Sequence, residues 1–123
     1  MTTELEARYA DYVQAFNAHD FTALERYLAP DVVFEWGDVM PDLIGRDQFF
    51  TFYRTAWTYF DETIEARVLS SEGDTLTAWI DTRLTIIRDW PDCPIQPYVA
   101  GEVHNVNGEV VYQFRDGLIT HLA

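Results

Sequence analysis

Hydrophobic spacing changes character partway along this chain, and that change limits the fold more than any single residue does. In the first half, apolar residues recur at helical intervals: Leu5, Tyr9, Tyr12, Val13 and Phe16, then Leu24, Tyr27 and Leu28, then Phe49, Phe50, Phe52, Tyr53, Ala56, Trp57 and Phe60. In the second half they alternate with polar residues, as half-buried strands do. The spacing predicts a helix from Thr3 to about Ala18, then a short helix capped by Asp20 and closed by Pro30. A β-rich strand runs from Asp31 to Trp36 and ends at Gly37, and Asp47 caps a third helix. Strands follow over Thr63–Leu69, Thr75–Ile87, Glu102–Arg115 and Leu118–Leu122, with turns at Glu72-Gly73-Asp74 and Asp116-Gly117 and a proline-rich loop from Trp90 to Pro97. Asn107-Gly108 could be a turn that splits the long strand, but a glycine kink or bulge is expected there, since a bent strand suits a curved sheet. This order gives an α+β fold in one domain over residues 1–123: three N-terminal helices packed on a strongly curved antiparallel sheet, forming a cone with an internal pocket.

Composition removes several functions. The 123 residues carry 21 acids against eight bases, a net charge of −13, and all eight bases are Arg. Without Lys, Schiff-base chemistry and a P-loop lysine are impossible. The acidic balance argues against nucleic acid, anionic membranes and highly phosphorylated substrates, and favours a neutral or cationic small molecule. No run of about 18 apolar residues is present, and the N-terminus lacks the basic and apolar segments of a secretory signal, so a cytoplasmic protein is expected. Cys93 stands alone between two prolines and reads as an ordinary loop thiol.

Strand alternation selects the candidate site. On the strand ending at Arg115, His104, Val106, Gly108, Val110, Tyr112 and Phe114 share one face, and polar residues dominate the other. A two-residue turn at Asp116-Gly117 pairs Phe114 with Ile119 and Tyr112 with His121, which places His121 beside His104 on the concave side. Imidazole is the usual proton carrier near neutrality; a core histidine bonded to a carbonyl or tyrosine is the plainer reading of each ring. His19 reads as a structural or solvated turn residue. Two histidines without a third inward ligand do not make a metal site, so no metal is expected. Trp79, on the polar face of its strand with Val103 and Val111 on the neighbouring outer face, suggests a homodimer contact.

These residues resemble the ketosteroid-isomerase-like, or SnoaL-like, superfamily, the cone shared with nuclear transport factor two. The likeness is carried by Ala7-Arg8-Tyr9 through Trp36, by Ile44-Gly45-Arg46-Asp47-Gln48-Phe49 through Arg54, and by Val111-Tyr112-Gln113-Phe114-Arg115-Asp116-Gly117-Leu118-Ile119. The superfamily includes isomerases, dehydratases, polyketide cyclases, epoxide hydrolases and non-enzymes, so the likeness bears on fold more than on reaction. Against the ketosteroid isomerases, the oxyanion tyrosine falls on Tyr12 and a second tyrosine on Tyr53, whereas the third tyrosine, the base and the protonated acid fall on Leu28, Trp36 and Val110. Asp38 would replace that base only if its loop folds back. Gly101-Glu102-Val103-His104-Asn105-Val106-Asn107 is similar to a catalytic segment of scytalone dehydratases and places a histidine on His104; their other catalytic positions read Ile80 and Phe16-Asn17 here.

The resemblance and the strand phase together imply a cofactor-independent enzyme doing acid/base chemistry on an apolar, carbonyl-bearing molecule such as a polyketide- or terpenoid-like ring. His104 and His121 would move protons, and Tyr12 supported by Tyr53 would stabilise an enolate oxygen. Trp36, Phe34, Phe16, Phe50, Trp57, Ile80 and Tyr112 would form the wall. The alternative is a non-catalytic binding or dimerisation domain of the same fold.

Overall fold

The computed structural model describes residues 4–123. Helix α1 (Glu4–Asn17) buries Tyr9, Tyr12, Ala15 and Phe16, and Thr3, the expected start, lies outside the described residues. Asp20 caps α2 (Phe21–Leu24) by accepting from the Ala23 N–H at 3.1 Å. That helix is a single turn. Tyr27 and Leu28, read as helical, leave it: Leu28 already opens strand β1 (Leu28–Phe34), and Pro30 lies inside this strand. The proline is tolerated because the β1 register breaks there, between Leu28 and Val33. Trp36 lies beyond β1. A two-residue β2 (Leu43–Ile44) leads into α3 (Arg46–Tyr59), which starts at Gly45 with φ 89° rather than at Asp47. Gln48 turns its side chain back to accept from the Ile44 N–H at 2.8 Å.

No loop separates α3 from β3 (Phe60–Glu72); the chain passes from helix to strand at Phe60. Strands β4 (Thr75–Ile86), β5 (Val103–Arg115) and β6 (Leu118–Leu122) complete one six-stranded sheet of order β2-β1-β6-β5-β4-β3. All pairings are antiparallel except β1 with β6. β5 is one continuous strand with neither a turn nor a bulge at Asn107-Gly108: the β4–β5 ladder runs unbroken from Thr75↔Gln113 to Thr85↔Val103. The irregularities fall instead at Val68/Ser70 and Gln113/Phe114. Both residues of the β5–β6 turn have positive φ, 54° at Asp116 and 80° at Gly117, the geometry a tight hairpin needs. Arg8 of α1 donates to the Gly117 carbonyl, and a Cβ at Gly117 would lie 2.9 Å from the Arg8 Nε.

Helices and sheet close over an apolar core. Phe49, Phe60, Leu24, Leu28, Leu76 and Ile119 are fully enclosed, each contributing roughly 1.5–3 kcal/mol by removal from water. A second cluster lies under the loop from 87 to 102, where Trp90 stacks on Tyr59 at 4.3 Å and Cys93 is buried without a disulfide. Trp79 is half-buried, and its direct cross-strand neighbours are Arg67 and Glu109; Val111 is diagonal to it, and Val103 pairs with Thr85 six residues away, so the expected apolar patch is not continuous. Among the described residues no helix is long and apolar enough to cross a membrane.

The free edge of the sheet, β3, is covered by side chains from the end of α1. Asn17 accepts from the Ile64 N–H at 2.8 Å and donates to the Ile64 carbonyl at 2.9 Å, as a neighbouring strand would. Asn17→Ala leaves both groups unpaired, and the expected loss is about 2 kcal/mol of unfolding free energy in urea titration. An unchanged midpoint would mean that water replaces the amide.

Candidate active site

Between helices and sheet lies a cavity of about 360 Å³. Its wall is almost wholly apolar, as small-molecule sites are. α1 supplies Tyr12 and Phe16, and α3 supplies Phe52 and Tyr53. The segment after β1 supplies Trp36 and Val39, and the sheet supplies Phe34, Ile64, Ile80, Thr82, Leu84, Val110 and Tyr112 among others. Ile95 and Tyr98, from the loop after β4, close one end. Seven residues expected in the site therefore line it: Tyr12, Phe16, Phe34, Trp36, Tyr53, Ile80 and Tyr112. Phe34 and Trp36 stack at 4.6 Å, and the buried Trp36 indole N–H has no partner.

Four expected residues do not line it. His121 is opposite Gln113, not Tyr112. The hairpin starts in the expected register, with Arg115↔Leu118 and Phe114↔Ile119, but one extra residue at Thr120 then turns every following side chain to the other face. His121 therefore points outward and meets Glu35 at 3.2 Å. His104 is on the concave face, opposite Leu84, but it is screened from the cavity by Tyr98, whose ring is 4.9 Å away edge-on. The nearest carboxylate oxygen to its Nε2 is that of Glu102, at 3.5 Å. Phe50 packs against Phe21 and Phe49 behind the wall. Trp57 stands behind Phe16 and Tyr53 at 5.3 and 4.9 Å. Asp38 is exposed and does not reach the site.

The residue that sequence reasoning missed is Glu62, the one acidic group on the wall. It belongs to the inward phase of β3 with Phe60, Ile64 and Ala66, opposite Leu84. An acid in the apolar phase of a strand was the available signal. Burial pushes its carboxyl from an ordinary 4.5 up to about 7; the Trp57 indole N–H, donating to Oε1 at 3.1 Å, offsets part of that, and the charge of Asp61 adds to it. Burial also raises the hydroxyls of Tyr12, Tyr53 and Tyr112, with Glu62 a further upward influence on the first two. These phenols therefore stay protonated across the neutral range and are available as donors.

The arrangement joins a carboxyl group that exchanges its proton near neutrality with phenolic donors across a dry cavity. It suits proton transfer at carbon next to a carbonyl. Among the described residues no three His, Cys, Asp or Glu side chains gather to hold a metal ion.

A sequence model described as a SnoaL-like domain matches residues 9–122. No curated protein sequence matches the chain. Among solved structures, a proposed polyketide cyclase of Xanthomonas campestris superimposes with a TM-score of 0.82 at 23% identity, covering 97% of this chain and 87% of that one. IdmH of Streptomyces antibioticus, also a proposed polyketide cyclase, gives 0.77 at 20% identity over 98% and 89%. An LEH-like epoxide hydrolase of M. tuberculosis gives 0.76 at 18% identity over 98% and 80%. At these identities the likeness is one of fold.

Proposed function

This chain belongs to the SnoaL-like domain family, and from that premise we propose that it is a cofactor-independent enzyme moving a proton on an apolar, carbonyl-bearing small molecule. Glu62 is the proton carrier. Its ionised form takes a proton from the carbon next to the substrate carbonyl, and the electron pair moves onto the carbonyl oxygen. Tyr12 or Tyr53 donates a hydrogen bond to that oxygen as charge develops. Return of the proton to another carbon gives isomerisation; attack of the enolate carbon on a second carbonyl, whose π pair moves to its oxygen and takes the proton back from Glu62, gives cyclisation. The walls exclude water, which strengthens the hydrogen bond to the oxyanion.

One observation carries this reading: the acidic group facing the cavity has its proton affinity raised to about 7, where an acid/base catalyst works best. The tyrosines keep the role expected of them, and Glu62 takes the one expected of His104 and His121. The family match and the proposed polyketide cyclases of the same fold support the substrate class.

The test uses a simple apolar ketone, 2-tetralone, in deuterium oxide. The protein is expected to accelerate exchange of the protons next to the carbonyl, with a rate that rises with pH through a midpoint at about 7. Exchange no faster than in buffer, with the ketone bound, would favour a binding domain. A homodimer, resting on half-exposed Trp79, belongs to the same proposal; sedimentation as a monomer at micromolar concentration would remove it.

A further inference from the structure

Glu62 is held by more than its own strand. The Trp57 indole N–H donates to Oε1 at 3.1 Å. On the indole lies the His19 ring, 4.0 Å away and within 8° of parallel. The His19 Nε2 is 2.8 Å from the main-chain carbonyl of Glu62 itself. A carbonyl only accepts, so Nε2 carries the proton. His19 adopts φ 53°, a conformation disfavoured for residues other than glycine. The turn between α1 and α2 thus accepts backbone strain to bring this ring against both the tryptophan and the strand.

We propose that Trp57 and His19 are positioning residues for Glu62, a role that rests on reading Glu62 as the proton carrier. The indole holds Oε1 aside and leaves Oε2, which takes no hydrogen bond from the described residues, for substrate. His19 fixes the indole plane and the main chain that carries the carboxyl group, so that side chain and backbone of one residue are braced by one stacked pair. The other groups facing Glu62 do not duplicate this. Asp61 repels its charge, Tyr12, Tyr53 and Tyr98 interact with it across the cavity, and Leu84 lies opposite on β4. His19 is also 3.7 Å from Asp61, at the exposed side of the strand edge.

The experiment follows the Glu62 carboxyl carbon by NMR in protein labelled at its glutamate side chains, with the signal assigned by its loss in Glu62→Gln. In Trp57→Phe the Glu62 midpoint is expected to rise by about one pH unit, because a donor that favours the ionised form is gone. The pH profile of 2-tetralone exchange shifts upward with it. His19→Asn tolerates the positive φ but removes both the stacking and the donor to the carbonyl; a smaller shift in the same direction is expected, and this variant serves if Trp57→Phe fails to fold. A wild-type midpoint near 7 that neither variant moves would overturn the positioning role while leaving Glu62 as the proton carrier. A wild-type midpoint in the ordinary carboxylate range would overturn both.

Discussion

Glu62→Gln is expected to reduce turnover by roughly 10²–10⁴-fold, the range typical of a removed general base. The amide keeps the size of the side chain and still accepts from the Trp57 indole, so the cavity and its wall persist. What is lost is the ability to take up a proton. Binding of an apolar ketone is expected to change little, so the loss falls on kcat rather than KM. Tyr12→Phe removes one donor to the developing oxyanion and is expected to cost less. The opposite result, full activity in Glu62→Gln with a large loss in His104→Gln, would return the proton carrier to the histidine and require Tyr98 to swing away from it.

The second large effect is on stability, and its sign is opposite to that of a salt-bridged carboxylate. Folding raises the Glu62 carboxyl from an ordinary 4.5 to about 7, chiefly by burial. Between those values the folded chain holds a proton that the unfolded chain has lost. Stability from this group is therefore complete below the unfolded value and falls as pH rises, until above about 7 the protein carries a buried charge at a cost of about 3 kcal/mol. Glu62→Gln carries no such cost. Taking their difference below about pH 4.5 as the reference, the variant is expected to gain on the wild type as pH rises, by up to about 3 kcal/mol above about pH 7. Urea unfolding of both proteins across that range isolates Glu62 from the other acids, which are common to the two. A constant difference at every pH would mean that the carboxyl titrates normally.

The active-site trade-off follows directly. On the proposed function, a carboxyl group used for chemistry is kept where its charged form weakens the fold.

How much of this could be read in the sequence depends on whether a residue's position is fixed locally. The phase of β5 was legible because Asn105, Asn107, Glu109, Gln113 and Arg115 mark one face at every second position, and the Asp116-Gly117 turn sets the first pairs of the hairpin, Arg115↔Leu118 and Phe114↔Ile119. His121 was misplaced because one extra residue at Thr120 reverses the phase, and no local signal marks a bulge that tertiary contacts create. Glu62 was passed over for a different reason. The chain passes from α3 to β3 at Phe60 without a glycine or proline, and the acidic pair Asp61-Glu62 reads as the break between elements, so spacing alone starts the strand at Thr63 and leaves Glu62 in neither element. Read from Phe60, its inward phase would have been plain. The short α2 was overextended because Tyr27 and Leu28 satisfy helical spacing while the chain has already entered the sheet. The walls fared better: α1 and α3 carry enough aromatic residues at helical spacing that Tyr12, Phe16 and Tyr53 had to face the sheet. The same spacing cannot separate a wall from the layer behind it, and Phe50 and Trp57 belong to that layer.

The central claim is that the reacting carbon sits between Glu62 and the tyrosines inside this cavity. A crystal structure with 2-tetralone bound tests it most directly. A carbon next to the carbonyl is expected at about 3–3.5 Å from the Glu62 Oε2, with the carbonyl oxygen on the hydroxyl of Tyr12 or Tyr53. The ketone seated outside the cavity, or held inside with its carbonyl directed at Glu62 and away from the tyrosines, would contradict it.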